Sequence, residues 1–317
     1  MTQKRKLLIT EPQNYSQDAL DILSEYFSID FGPLSCQRLL KEIHRYDGIL
    51  IRLAHHIDAN VIEAATNLKF IASPTTGVNH IDMSAAERKS LEVILLRNEF
   101  EFLSSIRATP EHTWGLMLAL LRNIPEARAH CADGNWDRTL FVGHELFEKT
   151  IGIVGYGRVG KIVANYARAF GMEIIAHDPY AEIPDWISSV DMTSLAQAAD
   201  ILTIHIPYNE ENVHFIDSSV LEAMKRTAYL INTSRGEVLD EQSLLASLVN
   251  GDLAGAALDV LTEEHVSSDF KKHPLVEYAS KNNNLILTPH IAGATVESME
   301  KTEIFIARKI IQTMINN

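Results

Sequence analysis

The stretch KTIGIVGYGRVGKIVANYARAFG, residues 149–171, decides the fold of this chain. It opens with a short apolar run of strand length, passes through Gly155-x-Gly157-x-x-Gly160, and continues with apolar residues at helical spacing. A strand that enters a helix through this glycine pattern is typical of a dinucleotide-binding turn. Gly155 permits the tight turn, Gly157 lets a pyrophosphate approach the backbone, and Gly160 lets the helix pack closely on the strand. The amides at the helix N-terminus then face the phosphates.

A second predicted strand, residues 173–177, ends on Asp178. A carboxylate at this point accepts both ribose hydroxyls and repels a 2′-phosphate, which favours NAD over NADP as the cofactor. The alternative is a structural glycine turn followed by a solvated aspartate, because a glycine pattern alone is a weak signal.

Composition limits the class of protein. The chain has 317 residues, enough for two domains, and its 46% hydrophobic and 22% charged residues are ordinary for a globular protein. The net charge of −14 argues against nucleic acid and anionic membrane surfaces as partners. Cys36 and Cys131 lie far apart without a C-x-x-C motif, so neither a disulfide framework nor a metal site is expected. The apolar run after residues 4–6 is too short for a signal peptide, and a cytoplasmic protein is expected.

Residues 1–105 alternate strand-like and helix-like segments. Strands are predicted at 6–10, 27–31, 48–53, 70–73 and 93–96, and helices at 16–26, 37–45, 59–65 and 83–89, the first capped by Ser16. A further helix, apolar on nearly every side, is predicted to start with Thr109 as its cap and Pro110 at its first position. It is expected to be buried and to link two domains.

More strands are predicted after the glycine turn, at 201–206, 229–232, 256–258 and 285–287. The last stretch, 294–317, carries Ile304, Ala307, Ile311 and Met314 on one helical face and is expected to pack on the N-terminal domain. The predicted fold class is therefore α/β with two doubly wound parallel-sheet domains. A Rossmann NAD-binding domain, residues 107–293, is inserted in a flavodoxin-like substrate-binding (catalytic) domain, residues 1–106 plus 294–317.

Polar residues follow the predicted strands, where an open α/β sheet binds its ligand. In the first domain these are Arg52 and the loop 74–79, whose glycine amides suit a carboxylate. In the second domain they include Arg235, an acid within 262–264, and His290. A guanidinium can hold a keto-acid carboxylate, and an imidazole can exchange a proton near neutral pH. Each of these residues also has an ordinary structural role open to it, and sequence spacing alone does not bring Glu264 to His290.

The remaining histidines are competing candidates. His205, His112 and His144 are interpreted as structural or cofactor-adjacent.

A series of motifs along the chain resembles the D-isomer-specific 2-hydroxyacid dehydrogenase family. In chain order they are TTGVNHID, TPEHTWGLMLALLR, GIVGYGRVGK with HDP, IHIPYNEENVHFID, INTSRGEVLDEQSL, LAGAALDVLTEE and LTPHIAGAT. The resemblance implies a catalytic set of Arg235, Glu264 and His290, with Arg52, Gly77, Val78 and Arg235 binding substrate. It also implies cofactor contacts from Thr76, Thr109, Gly155, Gly157, Arg158, Val159, Gly160, Asp178, His205, Pro207, Thr233 and Asp259, the last meeting the nicotinamide carboxamide.

The expected reaction is hydride transfer between NAD and C2 of a small D-2-hydroxy acid, by a homodimer with cofactor in the cleft between its domains. Two departures from the family pattern matter. His265 follows Glu264 where the family usually has proline, which leaves Glu263 as an alternative acid, and Leu53 weakens a phosphoglycerate assignment. Feedback through a C-terminal extension is not expected. The competing hypothesis is a dinucleotide-sensing, corepressor-like binding protein of the same fold.

Overall fold

The computed structural model describes residues 4–262, 264 and 270–314. The chain divides into two compact units, Met1–Ile106 with Ala294–Asn317, and Arg107–Gly293. In the described residues the strands are β1 (Arg5–Ile9), β2 (Phe27–Phe31), β3 (Gly48–Leu50), β4 (Phe70–Ala72), β5 (Glu92–Ile94), β6 (Thr150–Val154), β7 (Glu173–His177), β8 (Ser188–Ser189), β9 (Ile201–Ile204), β10 (Tyr229–Asn232), β11 (Gly255–Leu258) and β12 (Leu285–Leu287).

The helices in the same residues are α1 (Gln17–Ser24), α2 (Cys36–Glu42), α3 (Ala59–Ala64), α4 (Met83–Arg88), α5 (Phe100–Ser104), α6 (Ala108–Leu121), α7 (Ile124–Ala132), α8 (Arg158–Ala169), α9 (Met192–Ala198), α10 (Ser218–Ala223), α11 (Glu241–Asn250), α12 (Pro274–Ala279) and α13 (Val296–Met314). Short 3-10 turns occur at Ile43–Arg45, Arg138–Phe141, Glu210–Asn212, Gly236–Val238 and Phe270–Lys272. None of the helices in these ranges combines the length and apolar character needed to cross a membrane.

The first unit is built on a five-stranded sheet in the order β2-β1-β3-β4-β5. All of its strand pairs are parallel, and β3 and β4 are buried along their whole length. Separate apolar clusters cover the two faces of the sheet, as parallel sheets require. This is the flavodoxin-like strand order, so the predicted doubly wound fold is confirmed.

Two helices of this unit test the sequence predictions. The Ser16 hydroxyl accepts a hydrogen bond from the amide of Ala19, which confirms the predicted cap of α1. The last helix, α13, packs on α1, but the predicted apolar face is only partly right. Its buried residues are Ser298, Thr302, Glu303, Ile306, Ala307, Ile310 and Ile311, whereas Ile304 and Met314 are only partly buried. The buried face of the helix therefore includes the polar residues Thr302 and Glu303, and the spacing of apolar residues does not reveal this.

The predicted strand 48–53 is too long. Strand β3 ends at Leu50 because the Glu11 carboxylate takes the backbone amides that a continuing ladder would use. Its oxygens accept hydrogen bonds from the amides of Arg52 (2.7 Å), Leu53 (3.0 Å) and Ala54 (2.8 Å).

The second unit is built on a seven-stranded parallel sheet in the order β12-β11-β10-β9-β6-β7-β8. The first strand of the unit, β6, lies inside the sheet between β9 and β7, and the chain builds outward from it in both directions. This is the strand order of a Rossmann fold with one added edge strand, and it confirms the predicted class. The edge strand β8 was not predicted, because two exposed serines carry no strand pattern.

Helix α6 is buried as predicted, through Trp114, Met117, Leu120 and Leu121 among others. Its predicted start is wrong by a residue or two. The helix begins at Ala108, and Thr109 and Pro110 lie inside its first turn instead of at the cap. A proline is tolerated there because the first amides of a helix have no intrahelical acceptor.

Candidate active site

The glycine turn between β6 and α8 has the shape that a pyrophosphate needs. Gly155 has φ +92°, and a Cβ there would lie 2.8 Å from the His205 carbonyl. A Cβ on Gly160 would lie 2.1 Å from the Gly155 oxygen, so this glycine is required for helix–strand contact. A Cβ on Gly157 would meet no atom within 4 Å. Two glycines therefore serve packing, and the third opens onto space in front of the helix N-terminus, which fits the pyrophosphate of NAD.

Asp178 follows β7 and closes the same turn. Its Oδ2 accepts a hydrogen bond from the Tyr156 amide (2.8 Å), and its Oδ1 accepts from the amides of Tyr180 (2.8 Å) and Ala181 (3.0 Å). The half-buried carboxylate is thereby fixed beside the glycines. Carboxylate oxygens can accept more than one hydrogen bond, so this orientation remains compatible with a ribose diol.

Arg158 and Val159 form the start of α8, directly after the N-cap Gly157. The amides of this first turn have no intrahelical acceptor and lie at the positive end of the helix dipole. Burial lowers the pKa of Arg158, and the nearby charge of Arg107 lowers it further.

The other predicted cofactor residues of this unit, His205, Pro207, Thr233 and Thr109, lie around the ends of β9 and β10 and on α6. Burial lowers the pKa of His205 to about 3, so this ring is neutral at physiological pH, and its Nε2 lies 3.0 Å from the Thr203 hydroxyl. The Pro207 carbonyl accepts a hydrogen bond from Asn212 (2.8 Å).

A chain of threonines joins α6 to the end of β10. The Thr113 hydroxyl donates to the Thr109 carbonyl (2.9 Å) and lies 2.7 Å from the Thr233 hydroxyl. Thr233 is buried.

Arg235 stands three residues past the end of β10, in extended backbone. A Cβ on the following Gly236 would lie 2.1 Å from the Leu261 carbonyl carbon, so the two backbones touch at this point. That contact brings Arg235 beside the segment that carries Glu264. Burial lowers the pKa of Arg235, while the negative charges of Glu264 and Glu237 act in the opposite direction.

His290 and Glu264 meet directly in the structure. The His290 Nδ1 is hydrogen-bonded to Glu264 Oε1, and the two side chains are 21% and 16% exposed. The Leu261 amide donates to the other Glu264 oxygen at 3.4 Å. Glu263, the alternative acid, and His265 lie outside the described residues. Sequence spacing did not predict whether Glu264 and His290 are in contact, and the structure shows that they are.

Asp259 is buried, and its carbonyl accepts a hydrogen bond from the His290 amide (2.8 Å). Its carboxylate accepts hydrogen bonds from the Thr288 hydroxyl (2.5 Å) and from the amides of Ile291 (2.9 Å) and Ala292 (2.7 Å), and His112 Nε2 lies 3.3 Å away. Burial alone would raise the pKa of Asp259, but these donors hold it below its ordinary value. The residue predicted to meet the nicotinamide carboxamide is thus engaged by donors from the protein itself.

Three supporting residues were missed by sequence reasoning. Asn232 braces the Arg235 turn by accepting from the Ser234 amide (2.9 Å) and donating to the Arg235 carbonyl (2.8 Å). Glu241 accepts from the Thr262 amide (2.6 Å), just before Glu264. The third is Thr288. A polar residue at the end of an otherwise apolar strand was the available signal for Asn232 and Thr288.

The predicted substrate residues Arg52, Gly77 and Val78, and the predicted cofactor residue Thr76, belong to the first unit. Arg52 is paired: its Nη2 and Nε donate to the buried Glu303, its Nη1 donates to the Gln13 carbonyl (2.9 Å), and its guanidinium carbon lies 5.2 Å from the centre of the Tyr15 ring.

The loop after β4 contains the other three residues. Thr76 is exposed, Gly77 accepts a hydrogen bond from the Thr75 hydroxyl (3.1 Å), and Val78 packs partly on the core. Among the residues that the structure describes, no group of three His, Cys, Asp or Glu side chains could hold a metal ion.

Comparison with known proteins yields one family. Residues 114–292 match the model of the D-isomer specific 2-hydroxyacid dehydrogenase NAD-binding domain. A D-3-phosphoglycerate dehydrogenase of Synechocystis is 34% identical over 98% of this chain and 54% of its own length. A glyoxylate reductase of Thermofilum pendens is 36% identical over 89% of this chain and 82% of its own length. A solved structure of a Thermus thermophilus protein superposes with a TM-score of 0.84 at 31% identity, covering 98% of this chain and 97% of that one.

The chain therefore spans about half the length of the phosphoglycerate dehydrogenase that it matches.

Proposed function

Because the chain belongs to the D-isomer specific 2-hydroxyacid dehydrogenase family and carries its NAD-binding domain, we propose that it transfers hydride between NAD(H) and C2 of a small D-2-hydroxy acid or 2-keto acid. The observation that carries the proposal is the hydrogen-bonded Glu264–His290 pair. Arg235 lies close enough to Glu264 for an electrostatic interaction between their charges. A histidine can act as the acid–base group, a glutamate can orient that histidine, and an arginine can bind a substrate carboxylate.

The bound nicotinamide supplies or accepts the hydride, and the protein does the rest. His290 takes the hydroxyl proton when the hydroxy acid is oxidised and returns it when the keto acid is reduced. Glu264 orients the ring through Nδ1 and stabilises its charged form, so proton exchange with the substrate falls to Nε2. Arg235 holds the substrate carboxylate through paired hydrogen bonds, which fixes C2 relative to His290.

Charge balance supports the role of Arg235. Arg235 is partly exposed as a whole, and burial lowers the pKa of its guanidinium, so an anionic substrate that replaces lost hydration would stabilise the charged form. Its Nη1 donates a hydrogen bond to the adjacent Ser234 carbonyl (2.6 Å), a neutral acceptor that leaves the positive charge in place.

The first unit, residues 1–106 and 294–317, is proposed as the substrate-binding domain. Arg52, at the carboxyl edge of its sheet, is already neutralised by the buried Glu303. We therefore infer a preference for keto acids without a second anionic group, such as glyoxylate or hydroxypyruvate, over 3-phosphohydroxypyruvate.

A homodimer is proposed from the surface of the second unit. Large apolar side chains are exposed between residues 124 and 147, with Trp136 at 92% and Val142 at 82%. Helix α7, in the same segment, has no buried residue. Large apolar side chains exposed in one segment are typical of interfaces, and a second copy of the chain is the usual partner in a symmetric oligomer.

The direct test is NADH oxidation with a panel of 2-keto acids: glyoxylate, hydroxypyruvate, pyruvate, phenylpyruvate, 2-ketoisocaproate and 3-phosphohydroxypyruvate, with NADPH run alongside. Turnover of one or two members is expected. Inactivity across the panel with tight NADH binding would instead favour a dinucleotide-sensing protein. The relatives reported above are a dehydrogenase and a reductase, which favours the enzyme.

The matched variant for this test is His290→Ala. Loss of the proton-exchanging group should lower kcat roughly 10²–10⁴-fold while NADH binding stays near normal. An undiminished rate would remove His290 from the mechanism.

A further inference from the structure

We infer that His112, on helix α6, is a positioning residue for His290 and acts through Thr288 and the buried carboxylate of Asp259. The inference rests on the proposed function in one respect, the role of His290 as the proton-exchanging group.

Hydrogen bonds to Asp259 hold the turn that carries His290. Both carboxylate oxygens of Asp259 accept amides from the residues after His290, at 2.9 Å from Ile291 and 2.7 Å from Ala292. The Asp259 carbonyl accepts the His290 amide itself at 2.8 Å. One buried residue therefore fixes the backbone at His290 and for two residues beyond it.

The backbone at His290 needs such support. Its φ is +53°, in the left-handed region that residues with a side chain rarely adopt. This conformation is kept because neighbouring contacts over-determine it. A loosened turn would let the ring lose its angle to Glu264, since the Nδ1 contact depends on the direction in which the side chain leaves the backbone.

His112 supplies the outer end of this network. Its Nε2 lies 3.0 Å from the Thr288 hydroxyl and 3.3 Å from Asp259 Oδ1. The Thr288 hydroxyl has one proton and gives it to Asp259 at 2.5 Å, so toward His112 the hydroxyl oxygen is an acceptor. His112 must then carry its proton on Nε2. The ring locks the Thr288 hydroxyl into its orientation and adds a donor to the buried carboxylate.

Helix α6 is otherwise a core helix, which lets the His112 contact be removed without dismantling the packing. The adjacent Thr113 and Trp114 are buried, whereas the His112 side chain is 22% exposed. The His112 side chain is thus less buried than its two neighbours on the helix. Its polar contacts are with Thr288 and Asp259, on the strand ends that carry the reaction chemistry.

The kinetic test compares His112→Leu, His112→Gln and a control, His44→Leu. The control side chain is exposed, in the short turn Ile43–Arg45 of the first unit. His112→Leu should lower kcat roughly ten- to hundredfold, as loss of an outer orienting partner typically does, with NADH dissociation constant and melting temperature close to wild type. His112→Gln keeps a donor near Nε2 and should recover most of the loss. Failure of Gln to rescue, or a fall in NADH affinity that matches the fall in kcat, would overturn the inference.

A double-mutant cycle with Thr288→Val tests the route. If His112 acts through Thr288, the combined variant should lose little more than the worse single variant, whereas independent roles would give multiplied losses.

A spectroscopic measurement decides the same point without turnover. The ring nitrogen resonances of His290, assigned by their loss in His290→Ala, should move in His112→Leu and Thr288→Val and stay in place in His44→Leu. Unmoved His290 resonances in His112→Leu would contradict the inference even if activity fell. An inactive wild-type protein would contradict the proposed function alone, since these resonances still report whether His112 positions the ring.

Discussion

At the scale of single residues, chemically similar side chains take different roles because their surroundings differ. His205 and His290 both follow strands of the same sheet. Burial lowers the pKa of His205 to about 3, so it cannot deliver a proton at neutral pH. His290 instead has a carboxylate against its Nδ1. Burial of one ring and the carboxylate partner of the other therefore distinguish the two candidate histidines, and the residue type does not.

Glu11 gives a prediction on acid stability. Burial would raise its pKa, but the contacts with His55, the Arg52 and Ala54 amides and the Thr10 hydroxyl outweigh burial and lower it from 4.5 to about 2. A lowered folded-state pKa stabilises the protein above pH 4.5, and this stabilisation is lost as the pH falls toward 2. Glu11→Gln should therefore cost roughly 3 kcal/mol of unfolding free energy at pH 7 and progressively less below pH 4.

Urea denaturation at several pH values measures this difference. The control is Glu42→Gln, since Glu42 forms surface ion pairs with Arg38 and Arg45 and should change stability little. A loss for Glu11→Gln that stays constant from pH 7 to pH 3 would argue against the carboxylate's charge as its cause.

Asp178 gives a prediction on cofactor choice. Asp178→Ser removes the negative charge that disfavours a 2′-phosphate, so the ratio of kcat/KM for NADH over NADPH should fall about tenfold or more. The loss of the bonds to the Tyr156, Tyr180 and Ala181 amides should also lower the melting temperature. Steady-state kinetics with both cofactors measures the ratio, and an unchanged ratio would exclude Asp178 as the discriminating residue.

At the scale of elements, the site depends on strand ends that backbone contacts bring together. The Arg235 turn lies against the segment before Glu264 because Gly236 has no side chain. The Glu241 carboxylate holds that segment by the Thr262 amide. Burial raises the pKa of Glu241, and its contacts with Thr262 and His273 offset this rise only partly.

Gly236→Ala tests this contact. The added Cβ would lie 2.1 Å from the Leu261 carbonyl carbon, which is backbone and cannot rotate away. We expect a loss of about 1–3 kcal/mol in stability and a fall in kcat, because Arg235 and Glu264 are pushed apart. The control is Gly115→Ala on α6, where a Cβ meets nothing within 4 Å. That change should be neutral or stabilise by up to about 1 kcal/mol. Thermal unfolding and kcat give both comparisons, and a Gly236→Ala enzyme with normal kcat would contradict the role of the contact.

At the scale of the whole molecule, the chain forms two compact units, and the second is continuous in sequence while the first is not. Helix α13 completes the first unit by packing on α1, so this unit needs both ends of the chain. The surface of the second unit between residues 124 and 147 is the part for which we propose self-association.

The dimer prediction is tested by light scattering. The wild-type protein should have twice the mass of its 35.5 kDa chain. Trp136→Glu with Val142→Glu should shift it to monomer, because charges replace apolar side chains in the proposed interface. Val249→Glu, an exposed position on α11, is the control and should leave the mass unchanged. A wild-type monomer, or a dimer that survives the double change, would refute the assignment.

The sequence by itself determined the two doubly wound sheets, the glycine turn and the strand ends at which the proposed catalytic residues lie. These features follow from local periodicity and from backbone conformations that only glycine allows, and both are written in neighbouring residues. The strand boundaries at 27–31, 173–177 and 229–232 follow from the same local signal and agree with the structure.

Only the tertiary structure decided which of those residues are partners. Glu264 and His290 are 26 positions apart, Arg52 and Glu303 are 251 apart, and the Asp259 carboxylate gathers donors from α6 and from the end of β12. Folding brings residues into contact across such separations, and their spacing in the sequence does not show which of them will meet. The same folding ends β3 at Leu50, where Glu11, just past the end of the neighbouring strand β1, takes the backbone amides, and it neutralises Arg52. A strand-end cation looks available in sequence, and the structure shows it already paired.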